Sequence, residues 1–113
     1  MDWPKISVVI PTYNREEALR DTIADVLKQD YPQFEVLVVD QTRSHQSETQ
    51  TYLEERANTG KIQWYRLEWA SLPGARNYAV RRTTGDIILF LDDDVQLPEN
   101  FLKSHARNYI AAG

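Results

Sequence analysis

The sequence predicts an α/β fold, a Rossmann-like three-layer sandwich built on a mostly parallel sheet of about four strands. Short β-branched apolar runs alternate along the chain with segments that have helical periodicity. Strands that are joined by helices form right-handed crossovers and therefore a parallel sheet. The predicted strands are apolar at nearly every position, which indicates that helices cover both faces of the sheet.

The first part of the chain predicts a strand, a helix and a second strand. Residues 6–10 (ISVVI) are short and β-branched, which is typical of a buried strand. Asn14 is predicted to cap a helix that runs to about residue 29, because its apolar residues fall on one helical face. Residues 34–39 (FEVLVV) form the second predicted strand, with Asp40 at its end.

The rest of the chain repeats this alternation. Ser44 is predicted to cap a helix that runs to about residue 57 and stops at the sequence Asn-Thr-Gly. Residues 62–67 and 86–91 are the third and fourth predicted strands, and residues 98–111 form the last helix.

A further helix is predicted over residues 72–82, between the third and fourth strands. Leu72, Ala75 and Ala79 have the spacing of one helical face, so we expect them to point inward. Trp69, in the predicted loop before this helix, is assigned to packing rather than to a pocket.

Composition excludes several classes of function. The length of 113 residues and the apolar content of 42% fit one folded domain with a single core. A net charge of −4 gives no general reason to bind nucleic acid or an anionic membrane surface. The absence of cysteine excludes disulfides, thiolate zinc sites and cysteine nucleophiles.

Targeting signals are also absent from the sequence pattern. We see no signal peptide, and no apolar run approaches the roughly 20 residues that span a bilayer. We therefore expect a cytoplasmic protein, or one held at the cytoplasmic face of a membrane through other parts of a parent protein.

Polar side chains follow three of the four predicted strands at the point where each strand ends. Residues 11–14 (PTYN) follow the first strand, Asp40 and Gln41 end the second, and residues 92–94 (DDD) follow the fourth. Ligands of open α/β sheets bind outside the carboxyl ends of the strands. We therefore expect these segments to meet around one ligand.

The three adjacent aspartates are the least ordinary feature of the sequence. Their carboxylates repel one another, and a hard divalent cation would relieve the repulsion. Mg²⁺ or Mn²⁺ is usually held by one or two carboxylates together with substrate phosphates. Asp92 and Asp94 could serve different parts of one ligand. A solvated acidic turn, or a cap for the following helix, explains the same triplet equally well.

Other candidates also have structural explanations. Thr12 and Tyr13 offer a hydroxyl and a stacking ring to a base, although loop packing accounts for both. Asp40 can accept hydrogen bonds from a ribose or a base, or can simply end a strand in a turn. Arg76 could meet a phosphate or a base edge, or be an exposed helix charge. His45 and His105 have polar neighbours in the sequence, which predicts surface positions.

Four segments together resemble the family 2 glycosyltransferases, which have the glycosyltransferase-A fold. Residues 7–15 (SVVIPTYNR) resemble the opening strand and loop of that family, and residues 27–40 resemble its second block. Residues 74–77 (GARN) and 84–94 (TGDIILFLDDD) resemble the Gly-x-Arg-Asn stretch and the strand that delivers the Asp-X-Asp signature. The resemblance covers nearly the whole chain and implies the strand order 3-2-1-4.

The resemblance implies a role for each candidate residue. The donor would be a nucleotide diphosphate sugar, and the cofactor Mg²⁺ or Mn²⁺. Asp94, with Asp92, would bind the metal that bridges the diphosphate. Transfer would be a direct displacement with inversion, assisted by a carboxylate base. The expected contacts to the nucleotide sugar are Pro11, Thr12, Tyr13, Asp40, Gln41, Arg76, Asp92 and Asp93.

Two departures from the family pattern qualify these expectations. The family usually has a second aspartate where this chain has Gln41, and that acid often reads the base. The family carries its catalytic base well past the Asp-X-Asp motif, and we find no credible base before the last residue, Gly113. We therefore expect the base to lie beyond Gly113, in a longer catalytic domain. The chain would be the amino-terminal, nucleotide-sugar-binding domain of that protein and impaired in transfer by itself.

Two rival functions share some of these features. A nucleotidyltransferase uses a similar sheet and Mg²⁺. Nucleotidyltransferases resemble one another in a glycine-rich loop after the first strand, and residues 11–14 contain no glycine. A non-enzymatic nucleotide-binding or metal-binding module is compatible with a chain that lacks a base. The sequence leaves the sugar open, and the acceptor as a glycan, lipid or protein.

Overall fold

The computed structural model describes residues 2–68 and 71–112, so Trp69 and Gly113 lie outside the described residues. Strands and helices alternate throughout, as the periodicity predicts. The strands are Ile6–Thr12 (β1), Phe34–Asp40 (β2), Gln63–Arg66 (β3) and Ile87–Phe90 (β4). The helices are Glu17–Leu27 (α1), Ser47–Asn58 (α2), Leu72–Val80 (α3) and Phe101–Ala112 (α4).

The four described strands form one parallel sheet in the order β3-β2-β1-β4, which confirms the predicted order. Thr12 pairs with Asp40 at the carboxyl end of β1, and Val9 pairs with Phe90 near the end of β4. Because every pairing is parallel, all four strands end at the same edge of the sheet. The segments that follow β1, β2 and β4 are therefore neighbours.

Helices cover both faces of the sheet and complete the predicted three layers. On one face, alternate β1 residues such as Val8 and Ile10 pack in a core with Ile23 of α1, Leu53 of α2 and Leu102 of α4. On the other face, α3 closes a smaller core. That core contains Val9, Leu37, Val39, Leu67, Ala75 and Ala79.

Two predicted helix caps are wrong. α1 begins at Glu17, and Asn14 instead adopts a left-handed conformation with a φ of 55°, which asparagine tolerates better than most residues. α2 begins at Ser47, with Gln46 rather than Ser44 at its N-cap position. In both cases tertiary contacts between loops, rather than a local side-chain cap, decide where the helix starts.

The helix α3 confirms part of its predicted inward face. Ala75 and Ala79 are fully buried against the sheet, but Leu72 is 51% exposed, so its predicted inward position is wrong. Ser71 caps this helix, because its Oγ accepts a hydrogen bond from the Gly74 amide at 3.2 Å. None of the helices within the described residues combines the length and apolarity needed to cross a bilayer.

The amino ends of the strands are joined by a hydrogen-bonded carboxylate, Glu35. It accepts from the Ser7 hydroxyl at 2.6 Å, the Thr84 amide at 2.7 Å and the Gln63 amide group at 2.9 Å. Burial opposes ionisation of this group, but the hydrogen bonds from Ser7, Thr84 and Gln63 outweigh burial and lower the pKa of Glu35. This carboxylate therefore links β1, β2, β3 and the turn before β4.

Candidate functional site

A side-chain hydrogen bond joins the end of β1 to the acidic turn after β4. The Thr12 hydroxyl donates to Oδ2 of Asp93 at 2.9 Å, although 81 positions separate the two residues. The parallel pairing of β1 with β4 makes this contact possible, because both strands deliver their last residues to the same edge. The first loop and the triple aspartate therefore form one site.

Arg15 extends this connection to a second aspartate. Its Nε lies 3.4 Å from Oδ1 of Asp93, and its Nη2 lies 3.7 Å from Oδ2 of Asp94. The guanidinium is half-exposed, so these ion pairs contribute little to stability by themselves. They do offset the mutual repulsion of the carboxylates. Sequence reasoning assigned Arg15 no role in the site; its place at the end of the first segment that resembles the family was the available signal.

The donor set at this edge fits a hard divalent cation that also binds phosphate. Asp93 has one oxygen engaged by Thr12, whereas the side chain of Asp94 is 48% exposed and Asp92 is exposed. No group of three or more histidine or acidic side chains that could hold a metal occurs within residues 2–68 and 71–112. Carboxylate oxygens without a complete protein cage suit Mg²⁺ or Mn²⁺, which keep positions for water and phosphate. The assignment of Asp92 and Asp94 as ligands stays a prediction.

A cleft of about 400 Å³ lies directly beside Asp93. Its lining combines the first loop, the residue after β2 and the start of α3. The predicted residues among its lining are Pro11, Thr12, Tyr13, Gln41 and Asp93. Tyr13 and Gln41 also line a larger open cleft of about 940 Å³, which continues towards Arg43 and Arg66.

Two further predicted contacts, Arg76 and Asp92, line a smaller depression of about 110 Å³, which shares Pro11 with the cleft. The Arg76 guanidinium lies 5.3 Å from the centre of the Phe90 ring, at the exposed face of β4. The structure thus gathers seven of the eight predicted contacts around two adjoining hollows. Their contacts with a ligand stay predictions.

Gln41 is held in a defined orientation at the floor of the cleft. Its backbone amide donates to the Thr12 carbonyl at 2.9 Å, and its side-chain Nε2 donates to the Ser71 carbonyl at 2.9 Å. The residue is only 8% exposed. With Nε2 committed to Ser71, Oε1 is the atom of this amide that can accept from a ligand.

Asp40, the eighth predicted contact, lies beneath the loops rather than in the cleft. It is fully buried, and its Oδ1 accepts from the Thr42 amide at 2.9 Å. Its Oδ2 faces Nε1 of Trp64 at 3.0 Å and Nε2 of His45 at 2.5 Å. Both oxygens therefore bond within the chain in this arrangement. Its predicted contact with a ribose or base stays a prediction.

The predicted surface position of His45 is wrong. Its side chain is fully buried, and its two ring nitrogens face Oδ2 of Asp40 and Oε2 of Glu16, the latter at 2.7 Å. Polar neighbours in the sequence suggested exposure, but these two carboxylates come from other elements and supply polar partners inside the fold. His105 lies on α4, half-buried, with its ring 4.6 Å from that of Phe101, so its predicted surface position is confirmed only in part.

The sequence predicts that the catalytic base lies beyond Gly113. The last described residue, Ala112, ends α4, and Gly113 itself lies outside the described residues. The described acidic side chains at the site, Asp92, Asp93 and Asp94, are those already expected to contact the metal and the donor. The location of the base beyond Gly113 stays a prediction.

A parallel α/β sheet with a cleft and carboxylates at its carboxyl edge is the arrangement in which open α/β proteins bind their ligands. Residues 7–112 match the family model for glycosyl transferase family 2, and this chain belongs to that family. The resemblance seen in the sequence is thereby confirmed.

Individual relatives agree with the family assignment. The poly(ribitol-phosphate) beta-N-acetylglucosaminyltransferase TarS of Staphylococcus aureus is 36% identical over 106 residues, which cover 90% of this chain and 18% of TarS. The crystal structure of S. aureus TarS 1–349 in complex with UDP-GlcNAc superimposes with a TM-score of 0.77 at 32% identity, over 95% of this chain and 31% of that one.

A second solved relative is the mannosyltransferase PcManGT from Pyrobaculum calidifontis, in complex with GDP-Man and Mn²⁺. It has a TM-score of 0.76 at 28% identity, over 89% of this chain and 31% of its own. These relatives have the glycosyltransferase-A fold, which confirms the predicted fold class. The chain spans about a fifth of the length of TarS and about a third of the two solved chains.

Proposed function

We propose that this chain is the donor-binding part of a glycosyltransferase that is metal-dependent and inverts configuration, using a nucleoside diphosphate sugar. The observation that carries the proposal is the bond between Thr12 and Asp93, which unites the first loop with the acidic turn. Family membership supports transfer of a sugar, and the UDP-GlcNAc bound to TarS supports a nucleotide sugar as donor.

The cleft suggests where the parts of such a donor lie. The base occupies the space between Tyr13 and Gln41, where one wall is an exposed aromatic ring and the other a fixed amide. The diphosphate lies towards Asp93 and Asp94, beside the Arg15 guanidinium. A cation bound by Asp94, with Asp92, would supply Lewis-acid stabilisation of the departing nucleoside diphosphate.

We propose a uracil base for this donor. Oε1 of Gln41 is free of the Ser71 contact and can accept from the N3–H of uracil, as it could from the N3–H of thymine or the N1–H of guanine. The UDP-GlcNAc complex of TarS supports this choice, whereas the GDP-Man complex of PcManGT makes guanine the alternative to test.

We further propose that the base which activates the acceptor is supplied by polypeptide beyond Gly113. The chain corresponds to only 18% of the length of TarS. On this proposal the chain binds the donor and does not by itself transfer sugar efficiently.

The test is a calorimetric titration of the chain with UDP, GDP and TDP, each with and without Mn²⁺. We expect UDP to bind most tightly, in a Mn²⁺-dependent manner, and Asp94→Ala to abolish the Mn²⁺ dependence. Asp21→Ala is the matched control, because Asp21 is an exposed aspartate on α1. Binding that is indifferent to both Mn²⁺ and Asp94→Ala would refute the proposed metal site.

A further inference from the structure

We propose that His45 is a positioning residue that ties the loop after β1 to the loop after β2 and so sets the shape of the nucleotide cleft. The consequence for nucleotide affinity rests on the proposed function; the tie itself does not. In this tie the imidazole is buried, with Nε2 2.5 Å from Oδ2 of Asp40 and Nδ1 2.7 Å from Oε2 of Glu16.

The two partners of His45 come from different elements. Asp40 is the last residue of β2, and Glu16 stands at the N-cap position of α1. His45 belongs to the loop between β2 and α2, and is separated from Glu16 by 29 positions. The imidazole therefore bridges two connections that are distant in the sequence.

The two contacts of the His45 ring are hydrogen bonds to carboxylates. An ionised carboxylate can only accept, so each of the two short contacts needs a proton between nitrogen and oxygen. Charge-assisted hydrogen bonds of this kind are shorter and stronger than neutral ones. Because each ring nitrogen faces a carboxylate, the imidazole can donate to Asp40, to Glu16 or to both.

Glu16 and Asp40, the two partners of His45, make further hydrogen bonds to other elements. Oε1 of Glu16 accepts from the backbone amide of Gln46 at 2.6 Å, at the N-cap position of α2. On the other side, Asp40 accepts from the Trp64 indole of β3 and from the Thr42 amide. A continuous path thus runs from β3 through Asp40, His45 and Glu16 to the start of α2.

The two loops that this path joins carry the walls of the cleft. Tyr13 lies in the loop after β1, and Gln41 opens the loop after β2. The same two loops are also joined by a hydrogen bond from the Asn14 amide to the Thr42 hydroxyl at 2.8 Å. The His45 side chain is fully buried and cannot touch the nucleotide, so its effect on binding must act through Tyr13 and Gln41.

The ligand-independent test is the ¹⁵N spectrum of the His45 ring in the 113-residue chain at neutral pH. We expect Glu16→Gln to shift the Nδ1 resonance, because that ring nitrogen faces Oε2 of Glu16 at 2.7 Å. A second readout is hydrogen exchange of the Trp64 indole N–H, which should accelerate in His45→Ala. A ring spectrum that Glu16→Gln leaves unchanged, or indole exchange that His45→Ala leaves unchanged, would overturn the tie.

The binding test compares UDP affinity in the presence of Mn²⁺ among variants. We expect His45→Ala to weaken UDP binding on the order of tenfold, as the loss of a buried charge-assisted bond would. His45→Gln keeps one donor and should recover part of the affinity. His105→Ala, a histidine on α4 away from the cleft, is the control and should bind like wild type.

The outcomes separate the two proposals. If wild-type chain binds no UDP, the proposed function fails, while the ring spectrum and indole exchange still decide the tie. If wild type binds UDP and His45→Ala binds it equally well, the positioning role is refuted. Should His45→Ala fail to fold, Glu16→Gln provides the same comparison, with an expected severalfold loss of UDP affinity.

Discussion

The hydroxyl of Thr12 and the carboxylate of Asp93 are 2.9 Å apart, across two strands that the chain connects only by way of two others. The contact holds the acidic turn against the first loop through side chains of the protein itself. A site that is already assembled avoids part of the ordering cost of binding. Disturbing this pair should therefore affect ligand binding more than folding.

Replacing Thr12 tests this pair directly. Thr12→Val removes the donor with little change in shape and leaves Oδ2 of Asp93 without its partner. We expect UDP affinity in the presence of Mn²⁺ to fall about three- to tenfold, the range for one net hydrogen bond. Isothermal titration calorimetry would measure it. Thr51→Val, at an exposed position of α2, should leave the affinity unchanged. Equal effects of the two variants would contradict the prediction.

Gln41 should govern the choice of base. Gln41→Ala removes the oriented acceptor at the floor of the cleft. We expect the ratio of UDP to GDP affinity to fall about tenfold, because one base-specific hydrogen bond is lost. Competition titrations of the two nucleotides would give the ratio. Gln50→Ala on α2 should preserve it, and an unchanged ratio in Gln41→Ala would show that another group reads the base.

Gly85 should tolerate no side chain. A Cβ there would lie 2.7 Å from the Ser7 amide nitrogen and 2.9 Å from the Lys5 carbonyl oxygen. These are backbone atoms of β1 and its approach, which cannot move aside as a flexible side chain can. We expect Gly85→Ala to lower the free energy of unfolding by about 3 kcal/mol, in the range for overpacking.

Gly60 provides the comparison for that measurement. It has a φ of +75°, but a Cβ added there would have no described atom within 4 Å. Gly60→Ala should therefore cost only the left-handed backbone penalty of about 1 kcal/mol. Urea denaturation of both variants would test the contrast. A larger loss for Gly60→Ala than for Gly85→Ala would contradict the steric argument.

Glu35 should make stability depend on acid pH. Burial alone would raise its pKa, but the hydrogen bonds from Ser7, Thr84 and Gln63 outweigh burial and lower the folded-state pKa. The stabilisation is therefore fully present above the unfolded glutamate pKa of about 4.3. It is lost as pH falls below that value and through the lower folded pKa.

The measurement is the free energy of unfolding in urea between neutral and acid pH, in wild type and in Glu35→Gln. We expect the wild type to lose stability below about pH 4.3 more steeply than the variant, which lacks this titrating group. Glu54→Gln, at an exposed position of α2, should follow the wild-type curve. Parallel curves for wild type and Glu35→Gln would refute the prediction.

Much of the fold was predictable from local pattern. The β-branched runs around Val8, Val36 and Leu89 identify strands, because a buried strand needs apolar residues on both faces. Ala75 and Ala79 were correctly placed inward, since helical spacing puts them on one face. The convergence of Thr12 with Asp93 also followed, because parallel strands end at one edge.

The errors share a physical cause. Leu72 obeys the helical spacing of its neighbours, but it begins α3 beside the cleft, where nothing in the described part of the chain covers it. Asn14 and Ser44 are good capping residues that do not cap, because bonds between the two loops fix the helix starts elsewhere. Local propensity is a weak influence that tertiary contacts override.

What the sequence by itself determined is the class of fold, the edge at which the site forms, and the residue types that it offers to a nucleotide sugar. These depend on periodicity and strand direction, which are properties of short segments. Only the tertiary structure decided that His45 is buried between Asp40 and Glu16, and that Asp40 faces inward. Those environments arise from partners far apart in the chain, and no local pattern records which distant carboxylate will meet a given imidazole.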